Sequence, residues 1–255
     1  MVSRGRETSG RTVVISQPMY FPWLGLFEQM RAADVFIHYD DVQLARGFYN
    51  RVQVKTPQGT SMITVPLKNK HRDSKINDCR ISYESDWVSQ HRAVLTSSYK
   101  KTPYLSDAIA IFDDVTGRRP EMLGELGISS IMAIAGYLGL TDETAFLTSS
   151  DLDIAGSSSQ RLLDISAAQN ARIYLTGHGA LNYLNHELFE SRGVEVRYIK
   201  YGFAEYAQVF GEFTPYVTAL DAIAHLGHSA VDVFESSTLN WRNAVEQSGE
   251  LRPRV

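Results

Sequence analysis

Thr12-Val13-Val14-Ile15-Ser16-Gln17-Pro18-Met19-Tyr20-Phe21-Pro22-Trp23 is the stretch that decides the fold. Its first four residues are all β-branched, which suits a pleated backbone, and a polar, proline-bearing turn stops them, so they read as a buried first strand. Immediately after, Leu24, Phe27, Met30 and Ala33 recur at the spacing of one helical face, which predicts a helix. Val35-Phe36-Ile37 then reads as a second buried strand closing on Asp40-Asp41. Strand, turn, helix and strand in that order form a parallel unit, and in such sheets ligands gather at the carboxyl ends of the strands. Gln17 to Trp23 and His38 to Gln43 both belong to those ends.

Further out, Asn50 to Lys55 alternates, Thr56-Pro57-Gln58-Gly59 is a turn, and Met62 to Leu67 resumes, which predicts a hairpin. Cys79 to Ser82 reads as another strand. Helices are expected over 87–99, 104–115 and 120–138, the last on Leu123, Leu126, Ile131 and Ile134. Strands are expected at Phe146 to Thr148, Ala171 to Thr176 and Val194 to Ile199, with helices over 161–168 and 182–192. The expected fold is an α/β domain over 12–234. It has a mostly parallel sheet flanked by helices, a Rossmann-like, nucleotidyltransferase-like start and an antiparallel hairpin insertion. Residues 1–11 read as a disordered tail, and 235–255, polar and ending Arg252-Pro253-Arg254-Val255, as a loosely held one.

With 255 residues, 44% of them hydrophobic, the chain can bury one large core. A formal net charge of −4 without a Lys/Arg run leaves nothing to neutralise a phosphate backbone, so no nucleic acid partner is expected. The first residues lack a leader-like apolar stretch and no window approaches ~20 apolar residues, so a cytoplasmic chain with no membrane partner is expected. The single Cys79 excludes an intramolecular disulfide, and no His/Asp/Glu spacing reads as a metal centre; neither metal nor cofactor is expected. Oligomeric state is not legible.

Chemistry is expected at the strand ends. Gln17, Tyr20, Phe21 and Trp23 belong to a proline-stiffened loop whose aromatic faces either wall a ligand site or cap the core. His91, four residues after Trp87 and on the same helical face, is expected as a general base; the alternative is a satisfied core histidine. Asp40 and Asp41 would orient it or hold an ammonium group, unless they cap a turn. Gln43, Asn50 and Arg51 are expected at the substrate, Arg51 through its fork of donors, or else paired with Asp40 or Asp41. Ser149, Ser150, Gly177 and His178, with Tyr183 downstream, follow strands, where hydroxyl and N–H donors serve a developing oxyanion or simply a turn. Cys79, with no helix N-terminus to lower its pKa, reads as a buried bystander.

Gln17-Pro18-Met19-Tyr20-Phe21-Pro22-Trp23-Leu24-Gly25, Asp34, Tyr39-Asp40-Asp41-Val42-Gln43, Asn50-Arg51 and Thr64-Val65-Pro66 together resemble the WbqC-like family. The resemblance continues through Trp87, His91, Tyr99, Ser149-Ser150, Thr176-Gly177-His178-Gly179, Tyr183, Tyr201, Tyr206, Gln208 and Asp221. Thr176 stands where the family has a serine, and Ala219 where a serine or isoleucine is usual. Such proteins occur in pathways for surface polysaccharides, unusual amino sugars and natural products. The resemblance implies a transferase that moves an acyl or aminoacyl group from a thioester, on coenzyme A or an acyl carrier protein, to a small-molecule amine. That amine would be an amino sugar or amino acid. One rival is a non-catalytic module gripping a sugar or carrier protein. The other is a nucleotidylyltransferase-like enzyme, although Pro22-Trp23-Leu24-Gly25-Leu26 lacks the His-x-Gly-His histidines of that chemistry.

Overall fold

The structure, a computed structural model, describes residues 10–247 except 46, 69, 70 and 72. The opening run is strand β1 (Arg11–Ser16), followed by helix α1 (Leu24–Arg31) and strand β2 (Val35–His38). An insertion comes next. It holds the hairpin β3 (Arg51–Thr56) and β4 (Gly59–Thr64), a two-residue pair β5 (Leu67–Lys68) and β6 (Arg80–Ile81), and helices α2 (Trp87–Tyr99), α3 (Leu105–Gly117) and α4 (Leu123–Tyr137). The chain then returns to the main sheet with β7 (Ala145–Thr148), α5 (Ser158–Ala168), β8 (Ala171–Thr176), α6 (His186–Ser191) and β9 (Glu195–Lys200). It finishes with α7 (Ala219–Leu226), β10 (Ser237–Asn240) and α8 (Trp241–Glu246).

The six-stranded sheet has the order β10-β9-β8-β1-β2-β7, parallel throughout except for β10, which runs antiparallel to β9. Alternation sorts its side chains. Val14, Phe36, Leu175 and Ile199 face the larger core, with α1 to α4 and α7, whereas Val13, Ile15, Ile37, Tyr174 and Val196 face the smaller one, with α5, α6 and α8. Both faces being covered explains why the strands are near-continuous apolar runs. The chain builds β1, β2 and β7 in one direction and then crosses back to add β8 and β9 on the other side of β1. The order therefore reverses between β1 and β8, and the crevice outside their carboxyl ends is where such sheets receive ligands.

The α/β class, the parallel sheet and the hairpin are as expected. Two segments differ. Ala219–Leu226, for which no helix was expected, is α7; its polar residues Asp221 and His225 share one face at i, i+4, but eight residues are too few for that spacing to recur. Residues 237–246 are not a loose tail. β10 pairs with β9, and α8 is held by Glu190, which accepts from Trp241 Nε1 at 2.9 Å and from Arg242 Nη1 at 2.6 Å. Trp241 also lies flat on His186 at 4.6 Å. An edge strand and a short surface helix need few apolar residues, so polarity alone misleads there. The remainder of both expected tails, 1–9 and 248–255, lies outside the described residues.

Candidate functional site

The corner after β1 divides its aromatics. Tyr20 and Phe21 are fully buried, Phe21 stacking on Phe112 at 5.5 Å, and they cap the larger core. Phe21 takes φ +40°, a costly conformation for a residue with a Cβ, which the burial of its ring holds in place. Trp23 remains half-buried outside the core, its indole lying on Gly25, where a Cβ would come within 2.3 Å of the ring. The indole thus covers the first turn of α1, the place where Rossmann-like folds seat phosphates.

His91 is 6% exposed and fully engaged: Nδ1 meets the Tyr20 hydroxyl at 3.0 Å, and the ring also bonds the backbone of Thr64. Burial lowers its pKa to about 4, so it is neutral at ordinary pH. It ties the corner, α2 and the hairpin together. Asn50 and Arg51 lie on the same hairpin, Arg51 directly opposite Thr64. Both are half-buried and bond backbone, Asn50 Nδ2 donating to Val65 O at 2.8 Å and Arg51 Nε to Gly47 O at 3.0 Å. Arg51 therefore does not pair with Asp40 or Asp41.

The two aspartates form a knot with the end of β7. Asp40, 5% exposed, accepts from Ser150 N at 3.1 Å, Ser150 Oγ at 2.9 Å and Asn77 Nδ2 at 3.3 Å, with Ser149 Oγ also at 3.1 Å. Asp41 takes Arg161 Nη2 and Ser149 Oγ, each at 2.5 Å. Burial acts to raise the Asp41 carboxyl, but the bonds from Arg161 and Ser149 outweigh it and hold it below the usual range. Juxtaposition of Asp40-Asp41 with Ser149-Ser150 follows from β2 and β7 being neighbours. Arg161 and Asn77 had no sequence signal, since each meets its partner only through the tertiary fold. Gln43 is exposed, its Nε2 3.5 Å from Asp73 Oδ1.

At the crevice itself stand half-buried Gln17, Gly177 and His178, with Tyr183 58% exposed. His178 Nε2 lies 2.5 Å from the Ile199 carbonyl. A carbonyl only accepts, so Nε2 is the protonated nitrogen of that contact. Gly177 is close-packed, since a Cβ would sit 3.1 Å from the Tyr201 hydroxyl, which itself accepts from Gln29 Nε2 at 2.6 Å.

A second buried polar cluster lies beneath the corner, where α7 begins. Asp221, 0% exposed, accepts through Oδ1 from Tyr206 Oη at 2.7 Å and Gln208 Nε2 at 2.8 Å. Its Oδ2 and the buried Tyr99 hydroxyl have no hydrogen-bond partner among the described residues. Lys55, 4% exposed, donates to Gln208 Oε1 at 2.7 Å and to the carbonyls of Gly211 and Glu212, pinning the segment between β9 and α7. Nothing in the alternation of β3 marks Lys55 as buried.

Among the described residues no group of three or more His, Cys, Asp or Glu side chains could hold a metal ion, and no helix is long and apolar enough to cross a membrane. The model of the WbqC-like protein family matches residues 17–233. An uncharacterized protein of Mycobacterium tuberculosis, Rv1507c, is 30% identical over 226 residues, covering 87% of this chain and 96% of the relative. No solved structure matches the chain.

Proposed function

Because the chain belongs to the WbqC-like protein family, we propose that it is a transferase placing an acyl or aminoacyl group from a thioester donor onto an amine at the β1/β8 crevice. The observation that carries this reading is His178. Its imidazole is half-buried at the strand-order reversal, oriented by the Ile199 carbonyl on Nε2. The amine nitrogen attacks the thioester carbonyl carbon, forming C–N as C–S breaks; the His178 imidazole takes the amine proton and returns it to the leaving thiolate. Oxyanion stabilisation falls to backbone donors of the turn at Gly177, because Ser149 is 1% exposed and committed to the aspartates. Asp40 and Asp41 hold the wall of the crevice rather than exchanging protons, and the sealed His91 keeps the corner in position. In this reading Tyr183 and Gln17 would meet the acceptor, and Arg51 and Gln43 are the residues to test for an anionic donor. The indole over α1 counts against nucleotidyl transfer.

Purified protein incubated with coenzyme A thioesters and amino sugars or amino acids should release thiol and form an amide, and His178→Ala should slow this about 10²–10⁴-fold. A wild-type rate in that variant removes His178 from the reaction. Absence of thiol release at any pH, with the amine still binding saturably, favours the non-catalytic module.

A further inference from the structure

Trp23 is the one aromatic of the corner that joins neither large core. Its indole meets three rings from the segment between β9 and α7: Tyr201 at 4.8 Å, Tyr216 at 5.6 Å and Phe203 at 6.0 Å. At the inner end Tyr201 meets His178 at 5.2 Å, and at the outer end Tyr216 is 45% exposed. A row of aromatic rings, tilted or edge-on to one another, therefore runs from the crevice out to the surface. Gly25 is what keeps the indole there, since any side chain at that position would displace it.

The chemistry of the row narrows its ligand. None of its side chains is charged, and neither the Trp23 indole N–H nor the Tyr216 hydroxyl makes a hydrogen bond among the described residues. A phosphate would need cations or helix-terminal amides, and those of α1 lie beneath the indole. What suits the row is an uncharged ring with apolar C–H faces and hydroxyls at its rim, because stacking and two outward donors recognise both parts at once. We infer that this row is a saccharide subsite, with a neutral pyranose ring stacked on Trp23 beside Tyr216 at the mouth of the crevice. The inference does not depend on the transfer chemistry, since binding is read without turnover.

The test is saturation-transfer NMR on the full chain with the methyl glycosides of glucose, galactose and N-acetylglucosamine. Transfer to the ring C–H protons of at least one sugar is expected, weakened about tenfold in Tyr216→Ala. Tyr216 is a surface residue, so that variant should melt as the wild type does; Trp23→Phe serves as a second variant and should retain part of the signal. No transfer to any of the three sugars, or transfer that Tyr216→Ala leaves at full strength, overturns the inference. A failed sugar test alongside amide formation leaves the transfer reading standing, and sugar binding without turnover does the reverse.

Discussion

Asp40 and Asp221 are both buried aspartates, yet they are satisfied in opposite ways. Asp40 is ringed by donors on both oxygens, whereas Asp221 has two donors on Oδ1 and an unpartnered Oδ2. Each has a histidine neighbour that reports the difference. His38, with neither ring nitrogen bonded, is driven down to about 4 by burial despite the charge of Asp40. At His225 burial also acts to lower the pKa, but the hydrogen bond and charge of Asp221 outweigh it and the value is raised. The difference is one of contact: His225 Nδ1 lies 3.4 Å from Asp221 Oδ1, whereas His38 makes no bond to Asp40 and feels its charge only across the buried interior. The first is a rivet, and the second leaves charge in reserve beside a lysine and a histidine.

The largest effect that bears on this contrast is removal of the rivet. Asp40→Asn turns an amide N–H₂ toward Ser150 or Asn77, and should cost about 3–5 kcal/mol because several buried donors lose their acceptor together. Asp221→Asn keeps the Oδ1 acceptor and relieves a buried charge, so about 1–2 kcal/mol is expected. Urea unfolding of the two variants checks this directly. Equal losses would mean that Asp221 is as tightly held as Asp40 and would dissolve the distinction.

Much of the first site is legible in the sequence. Adjacent β-branched runs announce β1 and β2, their ends announce Asp40-Asp41, and a polar pair after the next strand announces Ser149-Ser150, because parallel neighbours bring their carboxyl ends together. Of the second site the family resemblance marked Tyr206, Gln208 and Asp221 but not that they meet. Lys55 sits in an alternating hairpin, α7 is only eight residues long, and Tyr206 and Gln208 lie in an irregular connection, so only tertiary contacts assemble them. The setting of His91 was not legible for a related reason. Helical spacing places Trp87 and His91 on one face but does not say that the face is sealed, and His91 is spent on Tyr20 and Thr64.

Acid sharpens the comparison next. A histidine whose folded pKa is depressed remains neutral in the native state while the unfolded chain takes up a proton below about 6.5, so its stabilisation is lost as pH falls from there toward 4. His38 alone should account for on the order of 3 kcal/mol over that window. His225 has the opposite sign: its contribution is complete below about 6.5 and is lost as pH rises through its raised folded value. Melting temperatures followed from pH 8 to 4 should therefore show a fall on the acid side that His38→Phe flattens. NMR titration of His225 should move down in Asp221→Asn. An acid limb unchanged by His38→Phe would place the pH sensitivity elsewhere.

The smallest expected effect separates the two sites by single bonds. Ser149 Oγ has one proton to give, and it lies nearer Asp41, at 2.5 Å, than Asp40, at 3.1 Å. Asp40 therefore retains Ser150 and Asn77 when that hydroxyl is removed, and Ser149→Ala should cost only about 1 kcal/mol. Gln208 is different, because its amide donates to Asp221 and Thr214 while its carbonyl accepts from Lys55 and Thr214 N. Gln208→Ala releases the segment between β9 and α7 from both the lysine and the aspartate. Its global cost should be similar, yet amide exchange over 205–216 should quicken, while Ser149→Ala leaves exchange over 147–151 nearly unchanged. Slow exchange across 205–216 in Gln208→Ala would show that Lys55 and Tyr206 hold that segment without it, and that the second site is the redundant one.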